Sequence, residues 1–256
     1  MGCVPGQLLR HIVAHGAMAR YSARMRNRLW SITSQTLLAV TCLLALAQPV
    51  PAQVSGRDAE IAQCLPGEMV TWGDSQDRAA VSSPMVFVYD HTAAPAWFDE
   101  NLVLSALRRA AAHWSQCGVP AAITRSGNPD AATPHAITVR WSDLESRGNF
   151  GLTHFAQRTL TLGPAAFGLL RTRNPAHDAR ETLQMVISHE MGHLFGLMAH
   201  SRRCVDVTSN YDNGQGEKCQ ARDRTELLRF TEYRSTLPTA CDIQRCRMLN
   251  GIRGNP

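Results

Sequence analysis

The stretch DARETLQMVISHEMGHLFG, residues 178–196, decides how the rest of the chain is read. Leu183, Val186 and Ile187 recur at the spacing of a buried helix face. Asp178 stands where its carboxylate can accept from the orphan amides of a first turn while Glu181 reaches back. Gly196 follows at the distance where the helix can end. On such a helix His189 and His193 are separated by about 400° of rotation and about 6 Å of rise, so both imidazoles can reach one ion. Zinc accepts neutral imidazole nitrogens at about 2.0–2.1 Å. Glu190 is turned by about 100° from His189, off the metal but beside a water that the metal would hold. It can take that water's proton, leaving a hydroxide to attack a carbonyl polarised by the ion. Two buried histidines without a metal would each need another polar partner. The helix therefore reads as a zinc site with Glu190 as general base.

Outward from this helix the periods change. Met85-Val86-Phe87-Val88-Tyr89-Asp90 is β-branched and aromatic and reads as a strand, as do 136–141 and 158–162, with 151–155 as an edge strand between them. From about Ala96 to Gln116, Leu104, Leu107, Ala111 and Trp114 mark an amphipathic helix that Gly118 and Pro120 end. Beyond Gly196, residues 201–220 are polar and loop-like, and Thr225 to Tyr233 reads as a short third helix. Strand, helix, strands, helix and an irregular tail make an α+β, or mixed α/β, domain without internal repeats.

The segment His189-Glu190-Met191-Gly192-His193-Leu194-Phe195-Gly196-Leu197, followed by His200-Ser201, resembles the metzincin zinc metallopeptidases and is most similar to their matrixin-like members. The order of elements from Met85 to Gly196 is similar to that family's upper subdomain, so the resemblance spans roughly residues 85–220. It implies a zincin-like fold: a twisted sheet, an active-site helix and a small irregular C-terminal subdomain. It implies His189, His193 and His200 as zinc ligands, Glu190 as catalytic base, Gly196 as the turn that folds the chain back, and a protein or peptide as the substrate of an endopeptidase. Two departures stand out. The family's third histidine comes three residues after the glycine, where this chain has Ala199, and His200 is one later. A loop past the helix can absorb one extra residue as a bulge. The family's methionine below the metal has no counterpart in Val207-Thr208-Ser209-Asn210-Tyr211. Tyr211 can stabilise an oxyanion, as a tyrosine in this region does in some relatives, or serve only as a core or surface residue. The rival functions are a non-catalytic zinc-binding protein and a zincin whose third ligand is acidic, Glu217 or Glu226.

The first 52 residues hold five arginines and no acidic side chain, and with them the whole formal excess of +5. The remainder is formally neutral, which gives no support for a nucleic-acid or anionic-membrane partner. An Arg-rich stretch, an apolar run from Leu37 to Ala47 and small-residue sites ending at Ala47 and Ala52 read as a signal peptide, with Met18 or Met25 as alternative starts. The run is short for a membrane anchor. The expected mature protein is a monomeric catalytic domain over 53–256, secreted or periplasmic. It would retain Cys64, Cys117, Cys204, Cys219, Cys241 and Cys246, an even set suited to an oxidising compartment. Cys204 and Cys219 bracket one Gly- and Asn-rich loop and are expected to pair. Cys241 and Cys246 lie about 8 Å apart on different faces of any continuous helix, so either that segment is not helical or they pair elsewhere.

Cys117-Gly118-Val119-Pro120 looks like part of the matrixin cysteine switch, yet its place after a helix favours a helix-ending glycine beside a disulfide cysteine. His91, His113, His135, His154 and His177 show no ligand spacing. Asp206, Asp212 and Glu217 match no calcium loop and read as solvated surface.

Overall fold

A computed structural model describes residues 55–127 and 135–252; the expected leader lies outside the described residues. The sheet has five strands in the order β2-β1-β3-β5-β4: β1 (Met85–Tyr89), β2 (Ala121–Arg125), β3 (Ile137–Trp141), β4 (Gly151–His154) and β5 (Thr159–Leu162). All neighbours are parallel except β4, which runs antiparallel to β5 at the edge. β1 and β3 bury alternate residues, whereas β5 is buried along its length. These are the burial patterns of strands covered to different degrees. The domain is thus mixed α/β, built on a mostly parallel sheet.

Two long helices pack against each other. α2 (Glu100–Trp114) starts later than its apolar period suggests, because the Asp99 carboxylate accepts from the Asn101 and Leu102 amides and fixes the first turn. The short helix α3 (Asp143–Ser146) follows β3, and α4 (Pro164–Arg173) follows β5 with proline in its first turn. α5 (Ala179–Leu194) is the helix read from the sequence, capped by Asp178, whose side chain accepts from Arg180 N–H. Glu181 does not close the expected capping box and stays exposed. Between α2 and α5, Trp114 Nε1 donates to Ser188 O (2.8 Å) and Gln184 Nε2 to Ala106 O (3.1 Å). The Trp114 ring stacks on Phe195 at 5.4 Å.

The segments on either side of this core are more ordered than the sequence suggests. α1 (Gly56–Ala62) opens the described chain. The tail is not irregular throughout, since it ends in α7 (Ala240–Leu249), started by a capping box between Thr239 and Asp242. The helix expected over 225–233 is shorter, α6 (Arg224–Leu227), because Asp223 caps its start and Tyr233 is drawn away to Glu60 (2.7 Å).

Three disulfides bind these pieces. Cys204 pairs with Cys219, as expected from the loop they bracket. Cys241 and Cys246 do lie on a helix and pair elsewhere, with Cys64 and Cys117 respectively. Cys117 is therefore a structural cysteine beside Gly118, whose φ of +94° ends the preceding turn. Three disulfides fit a secreted protein. Among the described residues no helix is long and apolar enough to cross a membrane.

Candidate metal and catalytic centre

α5 ends in the hydrogen-bond pattern of a Schellman turn: Leu197 N–H donates to Gly192 O and Gly196 N–H to His193 O, each at 3.0 Å. Gly196 has φ of +107°, and a Cβ there would lie 2.0 Å from Arg78 O, so both the turn and the chain against it require glycine. The turn sends the chain back beneath the last turns of α5 and delivers His200 to the histidines of the helix. The rings of His189, His193 and His200 lie 5.0–5.2 Å apart, and one ring nitrogen from each falls within 4.8 Å of the others.

The second nitrogens decide what this cluster can do. His189 Nδ1 faces Val207 O (2.8 Å), His193 Nδ1 faces Leu197 O (2.8 Å), and His200 Nδ1 faces Asp74 Oδ2 (2.6 Å). Each of those oxygens is an acceptor, so the proton of a neutral ring belongs on Nδ1 and the lone pair on Nε2. Burial first, then the neighbouring His193 and His200, pushes His189 well below the ordinary imidazole range. Burial and then His193 lower His200. Three imidazoles, each held at Nδ1 by an acceptor so that Nε2 is left to face the others, fit a divalent ion of zinc's chemistry. Among the described residues, the metal-holding group that contains the two helix histidines is completed by His200 and by neither Glu217 nor Glu226.

Glu190 is buried and packs against β4, where its Cγ and Oε1 lie beside Gly151. Burial pushes its carboxyl up; His193 and Thr153 pull it back. Space for it comes from Gly151, where a Cβ would lie 2.8 Å from Glu190 Cγ. Thr153 Oγ1 donates to Glu190 O (2.8 Å), joining the edge strand to the helix at this residue. Gly192 serves packing in the same way, because a Cβ there would sit 2.8 Å from both Trp114 Cζ2 and Thr208 Cγ2. Gly192→Ala is accordingly expected to destabilise the protein by about 1–3 kcal/mol, from overpacking against a ring that cannot move aside. Calorimetry should show the melting midpoint fall by roughly 2–12 °C. An unchanged midpoint would mean that Trp114 is not seated against the helix.

Below the histidines, the stretch without a methionine is held by hydrogen bonds instead. Asp242, in the first turn of α7, accepts from Val207 N–H (2.9 Å) and Thr208 Oγ1 (2.6 Å). Asp206 is not on a solvated loop as the sequence suggests: it is buried, accepting from Ser201 (2.6 Å), Arg203 (2.8 Å) and Thr239 (2.7 Å). Burial and the Asp242 carboxylate push Asp206 up to about 7, against the pull of Arg203 and the hydroxyls. Asp212 and Glu217 do lie on the surface loop, paired with Lys218 and Asn213. His154 meets the Glu145 carbonyl (3.1 Å) and joins no metal-holding group among the described residues.

Tyr211 has its hydroxyl engaged. It donates to Glu232 Oε1 and accepts from Tyr233 N–H, each at 2.5 Å, while the Arg234 guanidinium lies 5.1 Å over its ring. Service as an oxyanion donor would require Glu232 to release it. The residues that sequence reasoning missed are Asp74, Gly151 and Thr153. Asp74 sits in Gly73-Asp74-Ser75-Gln76-Asp77, which carries no signal beyond that of a turn and lies 126 residues from its partner.

No protein-family model and no curated protein matches the chain. Among solved structures, a chain of the "GM1 bound form of the ECX AB5 holotoxin" is similar at 14% identity and a TM-score of 0.46, over 74% of this chain and 92% of that one.

Proposed function

We propose that this chain is an exported zinc-dependent endopeptidase of zincin type, resembling the metzincins, with His189, His193 and His200 holding the metal and Glu190 acting as general base. The observation that carries this reading is the set of three imidazoles whose Nδ1 atoms each meet an acceptor, so that their Nε2 lone pairs are free to converge beside a buried carboxyl group. Zinc held there supplies Lewis acidity, polarising a substrate carbonyl and lowering the pKa of water to about 7. The residues of the chain do the rest. Glu190 would accept the proton of the attacking water and pass it to the departing amine nitrogen. β4 is an edge strand among the described residues and Thr153 joins it to Glu190, so an extended peptide added along that edge would pass the general base.

The rival reading is a zinc protein that binds without hydrolysis, and the engaged hydroxyl of Tyr211 favours it. Retention of Glu190 opposes it, because a purely structural site has no use for an unligated carboxyl group in that place. Metal analysis of the purified protein before and after a chelator should find one zinc per chain, removable and restorable. A protein that takes up no zinc would remove both readings.

A further inference from the structure

The stretch Val70–Val81, which precedes β1 and carries Asp74, runs against the chain that leaves α5. Val81 N–H donates to Leu194 O (2.9 Å), Arg78 N–H to Gly196 O (3.0 Å), Trp72 N–H to His200 O (3.0 Å), and Arg202 N–H to Val70 O (2.9 Å). Two of its carboxylates act on the displaced histidine and on the residue before it. Asp77 Oδ1 accepts from Ala199 N–H (2.9 Å) and pairs with Arg245, whose guanidinium also donates to Ala199 O (2.5 Å). Asp74 holds His200 twice, accepting from its backbone N–H at Oδ1 (2.9 Å) and meeting its Nδ1 at Oδ2 (2.6 Å).

We propose that Val70–Val81 is a strap that makes the displaced His200 competent as a ligand, with Asp74 as its positioning residue and the Asp77–Arg245 pair fixing the extra residue, Ala199. A histidine on a loop has free side-chain torsions and two neutral tautomers, and only the Nδ1–H form presents Nε2 to an ion. One carboxylate that binds both the backbone amide and the ring of the same residue removes both freedoms. Asp77 and Arg245 hold both polar backbone groups of Ala199, so the added residue bulges without carrying His200 away. Ion binding and docking of the strap favour the same arrangement; each must therefore strengthen the other.

This inference rests on the zinc reading, but its first readout does not require metal. In long-range proton–nitrogen correlation spectra of the metal-free protein, His200 should be the Nδ1–H tautomer, and Asp74→Ala should populate the Nε2–H form. Zinc affinity, measured by competition with a chromophoric chelator, should fall about 10- to 100-fold in Asp74→Ala, the usual cost of losing an outer partner. Asp74→Asn keeps one acceptor oxygen for the two donors that the carboxylate serves, so it should fall between the wild type and Asp74→Ala in both tautomer population and affinity. In the wild type, zinc should slow exchange of the Trp72, Arg78 and Val81 amides, and should slow it less in Asp74→Ala. If Asp74→Ala keeps both the tautomer and the affinity, the positioning role is overturned and the zinc reading stands. If the wild type shows the Nδ1–H tautomer but takes up no zinc, the ligand role of His200 fails and the placement by Asp74 stands.

Discussion

Glu190→Gln is expected to leave zinc bound and to lower turnover by about 10²-fold or more. The substitution changes no ligand, and glutamine has nearly the shape of glutamate, so it fits the slot that Gly151 leaves beside β4. What it removes, on the proposed mechanism, is the ability to take a proton from water and return it to the leaving nitrogen. Steady-state hydrolysis and zinc content, measured on the same preparation, separate the two effects. Equal turnover in the variant would mean that another group is the base, or that any hydrolysis occurs elsewhere on the protein.

The second large effect concerns the displaced ligand. His200→Ala and His193→Ala should lower zinc affinity to a similar degree, and by more than the roughly 100-fold that loss of an outer partner costs. Each removes one of three nitrogens that converge on the same point. Glu217→Ala should leave affinity nearly unchanged, because that carboxylate lies on an exposed loop and accepts from Asn213 (2.7 Å). Zinc titration of the three purified variants gives the ranking. The reverse order would favour a zincin with an acidic third ligand.

The helix that carries the motif was legible because every signal for it is local: the capping Asp178, the apolar period, and the glycine that its left-handed turn requires. The cysteine spacing was legible for a geometric reason. Residues five apart on a helix point to different faces, and Cys241 and Cys246 do bond to partners far away in the chain. β2 was missed because Ala121-Ala-Ile-Thr-Arg125 has little strand character of its own, and its pairing with β1 and packing against α2 make it a strand. α7 was missed although Thr239 and Asp242 spell a capping box, because Cys241, Cys246 and the arginines blur its apolar stripe. No local pattern could have revealed Asp74, since its role exists only once residues 126 positions apart meet. The seat of Asp206 was hidden for the same reason, because three donors from separate turns bury a side chain that looks like one of a loop.

On the proposed function, zinc held by His189, His193 and His200 drives peptide-bond hydrolysis with Glu190 as the base. Casein hydrolysis by the folded, zinc-loaded protein tests it most directly, assayed before chelation, after chelation, and after zinc is returned. Hydrolysis that is lost to the chelator and recovered with zinc is the expected result. Full zinc occupancy without cleavage of casein or of any peptide in a proteome-derived library would contradict the claim and leave a binding protein built on the same site.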